Sequence, residues 1–369
     1  MQNIIVIYGG KSVEHDISIL TAIQTMKNIN GQKYNVIAVY QTKDCHFVSL
    51  KNPLDIKTYI NHDKKYKKVD FIFGERKIKV GHKKLHVHCA INCCHGAYGE
   101  DATLCALMNL CDIPITSCSM LASSVCMDKI ITKDIFRANN IPCVDYIGIT
   151  YDEYFLHQEK TLKCIVQKLS FPLIVKPSNL GSSIGIEKAT NVSELTKSLD
   201  IAFCYDRRVI VEQCLQDFSE INIACLGNNF CELSSLEQPK NWKDFLNFDD
   251  KYTNREMASQ KVLNPKLDKD IEKKIKSLAK LCFKVFDLSG NIRIDFMVKD
   301  DQVYVNEINT IPGSLAFYLW KGKNIEFFEL IDKMIDIAIQ KHKQESLCIR
   351  DFDSTVLKSY QTNSAKISK

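Results

Sequence analysis

Short apolar runs and helical stretches take turns through the first third of this chain, and few architectures accommodate that rhythm. Ile4 to Tyr8 reads as a strand, about Ile17 to Asn28 as a helix, and Val36 to Tyr40 and Val87 to Cys93 as strands, with a helix after Asp101. Strands separated by helices predict an α/β fold with a mostly parallel sheet. The stretch from Asp44 to Lys84, rich in Lys, Asp and His, interrupts the rhythm and reads as a peripheral insertion.

A second unit opens near Leu121. It has helical character from Ala122 to Asn139, a strand at Leu173 to Lys176, the segment KPSNLGSSIG and a strand at Val209 to Gln213. A third unit offers a helix at about Lys269 to Phe286, strands at Ile292 to Val298 and Val303 to Ile308, and a terminal helix near Phe327 to His342. The expected division is 1–120, 121–212 and 213–345, with a flexible tail at 346–369. A chain of 369 residues has room for these units.

The opening MQNIIVIYGG reads as a strand entering a glycine turn rather than a signal peptide. No apolar run approaches the ~18 residues that span a bilayer, so neither a membrane nor secretion is expected. A net charge of +5 is spread thinly, with no basic patch to suggest nucleic acid. The expected location is the cytoplasm. There, the 16 cysteines, set in apolar runs as Cys105, Cys225 and Cys282 are, read as reduced core residues. His86, His88, Cys89, Cys93, Cys94 and His95 fall close enough to suggest zinc. Alternation favours a buried strand instead, with Val87, Cys89, Ile91 and Cys93 on one face and His86 and His88 on a polar other face.

Five segments carry chemistry. From Lys176 to Gly185, small residues at Gly181, Ser182, Ser183 and Gly185 let backbone N–H groups converge on an anion. The same segment also reads as a plain glycine-rich hairpin turn. In NIRIDFMV, Arg293 and Asp295 share a face, and in VYVNEIN so do Glu307 and Asn309. These hard oxygen ligands suit Mg²⁺ on nucleotide phosphates, beside an arginine for the transferring group; an ordinary salt bridge remains the alternative. Asp295 and Glu307 face the same way across a hairpin only with an odd loop or a bulge. Glu14, after the first strand's glycine turn, could receive an amine or simply complement a helix dipole. His95, before a glycine loop, is either catalytic or structural.

Taken in order, the runs GGKSVEHDIS, CCHGAYGED, SSVCMDK, LIVKPSNLGSSIG, VIVEQ, DDKY, RIDFMV and NEINTIPG resemble the D-alanine–D-alanine ligase family from Ile4 to about His342, vancomycin-resistance relatives included. The resemblance implies a three-domain ATP-grasp fold that joins D-amino acids at the expense of ATP, as a homodimer. It places Lys129, Lys176, Ser183, Glu212, Glu220 and Lys251 around ATP. It makes Asp295, Glu307 and Asn309 ligands of two magnesium ions, with manganese as a substitute. Glu14 would hold the first D-alanine's ammonium in a network with Ser182 and Tyr252, and His95 would lie near its carboxylate. Arg293 and the N–H of Gly313 would stabilise the tetrahedral oxyanion, with Ser314 and Tyr318 near the second substrate. The departures are Ala102, where the family usually has glycine, and Tyr318, where it commonly has serine. A ligase making another dipeptide, and a nucleotide-binding protein without catalysis, are the competing readings.

Overall fold

In the computed structural model, which describes residues 1–61, 65–239 and 261–357, the chain builds sheets of seven, four and five strands. The first contains β1 (Gln2–Gly9), α1 (His15–Asn28), β2 (Tyr34–Gln41), β3 (Phe47–Leu50), α2 (Lys57–Ile60), β4 (Tyr66–Ile72), β5 (Lys77–Val80), β6 (Lys83–His86) and β7 (Cys89–Asn92), and is followed by α3 (Thr103–Leu110). Its order is β6-β5-β4-β3-β2-β1-β7. β1 pairs in parallel with both β2 and β7. It is apolar almost throughout because both its faces are covered: Ile4, Val6 and Tyr8 enter one core, Ile5 and Ile7 another.

The parallel character stops at β2. The stretch expected to be peripheral supplies β3 to β6, which extend the sheet by antiparallel pairing. Its hydrophobic islands place Val69 and Ile78 in the core, which is why the segment orders. The region around β7 also differs from expectation. Cys89, Ile91 and Cys93 share one core, but Val87 joins Ala90 and Cys94 in the other. The strand breaks at Val87 and His88, so the alternation does not run through it, and both faces of β7 are buried. Burial pushes the Cys89 and Cys93 thiols up to about 12. Cys105, Cys225 and Cys282 are buried and free, as the apolar runs suggested.

The expected helix from Ala122 to Asn139 is two helices, α4 (Met120–Met127) and α5 (Lys129–Ala138). Asp128 divides them. Its side chain accepts from the N–H groups of Ile130 and Ile131 and so starts a new helix with its own N-cap. The four-stranded sheet follows, with β8 (Tyr146–Thr150), α6 (Tyr151–Leu156), α7 (Gln158–Lys168), β9 (Leu173–Pro177), β10 (Glu187–Ala189), α8 (Val192–Phe203) and β11 (Arg208–Gln213), in the order β10-β9-β11-β8. α5 lies close against it: a Cβ on Gly148 would stand 2.8 Å from Ile130.

The five-stranded sheet is antiparallel, in the order β14-β13-β12-β15-β16: β12 (Ser219–Gly227), β13 (Cys231–Pro239), β14 (Lys261–Leu263), β15 (Gly290–Lys299) and β16 (Gln302–Asn309). The amphipathic α9 (Lys269–Val285) buries Ile275, Ala279 and Cys282 against it. After β16 come a short turn at Gly313–Ala316, α10 (Phe317–Lys321) and α11 (Phe327–Glu345). Leu319, Trp320, Leu330 and Ile331 pack in one cluster with Ile4 and Val6 of β1. α10 and α11 thus seal the first sheet. Among the described residues no helix is long and apolar enough to cross a membrane.

Candidate active site

The hairpin of β15 and β16 turns through two residues, Asp300 and Asp301, both with positive φ, the geometry of a tight hairpin turn. A two-residue turn alone would set Asp295 opposite Asn306. Instead the register shifts by one between Asp295 and Phe296, so Asn306 is the extra residue of a bulge and Asp295 faces Glu307. Of the two devices anticipated from sequence, the bulge is the one used. Arg293 is paired with Asn309 in the same ladder, and all four residues share one face. Across β15 the row continues through Asn222 to Glu237, and Glu220 lies two residues along β12 on that face.

The Asp295 carboxylate is held from several sides. Arg293 forks onto it, Nε donating to Oδ1 at 2.6 Å and Nη2 to Oδ2 at 2.7 Å. The amide of Asn309 donates to Oδ2 at 3.0 Å, and that of Asn222, oriented with its nitrogen inward, donates to Oδ1 at 3.2 Å. Burial raises the Asp295 pKa; Arg293 opposes this while Glu307 and Glu237 add to it. For Arg293 burial works against the charge, but Asp295 and then Tyr318 outweigh it and hold the guanidinium well above its ordinary pKa. Two carboxylates and an amide on one face, under their own repulsion, fit a divalent cation. Among the described residues no three His, Cys, Asp or Glu side chains converge as metal ligands, so the protein offers such an ion a partial shell of hard donors.

A second corner forms around Glu14, at the start of α1. Ser182 donates its hydroxyl to Glu14 Oε1. Two glycines close over the carboxylate: a Cβ on Gly96 would meet Oε2 at 2.6 Å, and one on Gly181 would meet it at 2.8 Å. Gly96 has a φ of +68°, so glycine is required there on both counts. Ser182 and Ser183 also take positive φ. The neighbouring His15 is pinned by Gly10 O at 2.6 Å and the Tyr40 hydroxyl at 3.0 Å, and its burial lowers its pKa.

His95 is buried, and both ring nitrogens are engaged. Nδ1 donates to Ile311 O at 2.9 Å, and Nε2 lies 2.9 Å from Thr21 Oγ1, which accepts from Ser314 N at 3.2 Å. His95 thereby ties α1 to the turn after β16. In that turn Ser314, Leu315 and Ala316 all have left-handed φ, of 51°, 50° and 47°, a conformation costly for residues with a side chain. Asn291 holds it by donating to Leu315 O at 2.6 Å, and accepts from Trp320 Nε1 at 3.0 Å. Gly313 stands in open space. Beside His95, burial pushes the Glu100 carboxyl up to about 7, with Glu14 and Glu307 near enough to add to the rise. Ala102 has a φ of 78°. That explains glycine at this place and makes alanine a strained cap rather than a neutral one.

The third group lies on the four-stranded sheet. Lys176 Nζ donates to Glu212 Oε2 at 2.7 Å, and Lys133 Nζ stands 3.4 Å from Oε1. Burial alone would raise the Glu212 pKa, but Lys133 and Lys176 bring it down to about 2. Lys129 donates to Leu180 O at 2.6 Å, anchoring the glycine-rich segment. Burial lowers its pKa, and it feels Glu307, Lys176, Glu212 and Glu14. It therefore lies where the three groups meet. Lys133 was not anticipated, although it sits between Ile130 and Phe136 on the buried stripe of α5, and a charge on an apolar stripe is a signal. Lys251 and Tyr252 lie outside the described residues.

Family models cover most of the chain, "D-ala D-ala ligase N-terminus" matching residues 3–118 and "D-ala D-ala ligase C-terminus" residues 135–336. The chain is 36% identical over 367 residues to the D-alanine–D-alanine ligase of Thermosipho melanesiensis, spanning 97% of this chain and 99% of that one. The D-alanine–D-alanine ligase structure from Coxiella burnetii matches with a TM-score of 0.79 at 25% identity over 99% of both chains. The VanG D-Ala:D-Ser ligase structure from Enterococcus faecalis matches with the same score at 26% identity, over 91% of this chain and 99% of that one. Fold and relatives together define an ATP-grasp ligase. The chain belongs to the D-alanine–D-alanine ligase family.

Proposed function

We propose that this protein joins two D-alanines to D-alanyl-D-alanine, a peptidoglycan precursor, converting ATP to ADP and phosphate. The observation that carries the reading is the meeting of the Glu14 carboxylate, the row of Asp295, Glu307 and Asn309, and a lysine cluster around Lys129. Glu14, steadied by Ser182, receives the first substrate's ammonium, with Tyr252 as a further member of that network and His95 near the carboxylate. Lys129, Lys176, Ser183, Glu212, Glu220 and Lys251 take the nucleotide. The substrate carboxylate attacks the γ-phosphorus, ADP leaves, and an acyl phosphate forms. The second amine then attacks that carbonyl, and phosphate departs as the peptide bond closes. Arg293 and the Gly313 N–H take the charge on the tetrahedral oxygen. Magnesium, held by Asp295, Glu307 and Asn309, would supply positive charge to the phosphoryl oxygens when bound.

This reading keeps divisions near residues 120 and 212 and a tail from 346, and it carries a homodimer working in the cytoplasm, where ATP is. Its test is product analysis with ATP, magnesium and D-alanine: ADP should accumulate only with all three present. Appearance of AMP and pyrophosphate would replace phosphorylation by adenylation.

One observation favours a second acceptor, such as D-serine or D-lactate. Tyr318 stands where serine is common and lies close enough to Arg293 to influence it. A phenol at the second subsite changes its shape and leaves Ser314 or a backbone amide to meet the acceptor's carboxylate. Tyr318→Ser is expected to change the acceptor's KM severalfold and leave that for the first D-alanine within error, as a contact made equally in ground and transition states does. Equal changes in both constants would remove Tyr318 from the second subsite.

A further inference from the structure

Three buried charges stand together on the face of the four-stranded sheet: Glu212 at 3% exposure, Lys133 at 1% and Lys176 at 8%. Two cations share one carboxylate, so the cluster carries one positive charge more than it neutralises. An anion completes it. The two contacts differ in kind. Lys176 makes a hydrogen bond to Oε2 at 2.7 Å, whereas Lys133 faces Oε1 at 3.4 Å, and neither Lys133 Nζ nor Glu212 Oε1 has a hydrogen-bond partner among the described residues. Lys133 is fixed by its place in α5 between Ile130 and Phe136. Lys176 is the penultimate residue of β9, next to the glycine-rich segment.

We infer that Lys133 is a positioning residue of the nucleotide site, a standing counter-ion that keeps Glu212 charged and in place when Lys176 swings from Glu212 to the nucleotide phosphate. The inference rests on the proposed ATP chemistry but concerns binding alone. Without Lys133, Lys176 has two anions to serve. It leaves Glu212 for the phosphate, and the stranded buried carboxylate takes up a proton, which weakens nucleotide binding. Removing one partner of a buried charge set leaves the other uncompensated. The low Glu212 pKa agrees with a carboxylate held by both lysines. The other titratable groups facing it are Lys129 at the start of α5 and Cys143 in the segment before β8.

The experiment is calorimetric titration of the full-length protein with magnesium ATP, without amino acid, in buffers of different ionisation enthalpy. Lys133→Met is expected to weaken ATP at least tenfold and to take up more protons on binding than the unmodified protein does. Proton uptake makes its affinity fall as pH rises from about 6 to 8, more steeply than the unmodified protein's. Lys133→Arg keeps the charge and should recover most of the loss. Lys133→Met combined with Glu212→Gln removes the stranded charge and should abolish the extra proton uptake; it also serves if the single variant folds poorly. Wild-type affinity in Lys133→Met, no recovery by arginine, or equal proton uptake in single and double variants would each overturn the inference. Failure of the unmodified protein to bind ATP would instead sink the proposed function.

Discussion

Replacing Glu307 by glutamine is expected to lower turnover ~10²-fold or more while moving thermal stability little. The substitution keeps the shape and hydrogen-bonding length of the side chain and removes only its charge. That charge faces Asp295 across the bulge and adds to the repulsion that raises the Asp295 pKa. In the free protein its loss relieves that repulsion, and folding should change by less than ~1 kcal/mol. In the reacting complex, on the proposed reading, the same charge would complete the donor set for a divalent cation beside the phosphates. The measurements are kcat and the melting temperature of the same preparation. A lowered melting point with unchanged turnover would return Glu307 to the status of a structural ion-pair partner.

The second large effect falls on Trp320, and it is one of stability. The indole is 1% exposed among Leu319, Leu330, Ile331 and the β1 side chains. Trp320→Ala should cost about 3–5 kcal/mol through lost burial and the cavity left behind. Trp320→Phe fills most of that space but leaves Asn291 Oδ1 without its donor, at about 1–3 kcal/mol. Asn291 also holds Leu315 in the left-handed turn after β16. Both variants should therefore raise the acceptor's KM as they lower the denaturation midpoint. A loss of stability with unchanged acceptor KM would show that the turn is held by its remaining contacts.

Much of this was legible in the residues. β1, β9, β15 and β16 announced themselves because apolar runs that short, bounded by glycine or turn residues, have few other conformations open to them. The row of Arg293, Asp295, Glu307 and Asn309 followed from the two-residue period of a strand, and the need for either an odd loop or a bulge could be counted. What escaped was decided by contacts distant in sequence. The break at Asp128 depends on a cap that is indistinguishable from a mid-helix aspartate until the next helix changes direction. The segment from Asp44 to Lys84 looked peripheral because its charges dominate its composition, yet a few apolar residues suffice to join an exposed sheet edge. Lys133 was passed over because lysines on amphipathic helices are ordinarily solvated, and only the buried Glu212 explains this one. Tyr252 and Lys251 stay where the motif DDKY put them, among residues the structure does not describe.

The Glu14–Ser182 contact joins positions 168 apart in the chain. Gly96 and Gly181, which cover the same carboxylate, come from the middle and the far end of that interval. Closing a loop of such length is slow and is repaid only once both ends are ordered. A nascent chain must extend beyond Ser182 before the Glu14 corner can exist, while β1, α1 and β2 have long been free to form among themselves. Refolding followed by secondary structure should therefore run ahead of refolding followed by D-alanine binding, and a chain stalled between the two would be ordered but chemically silent.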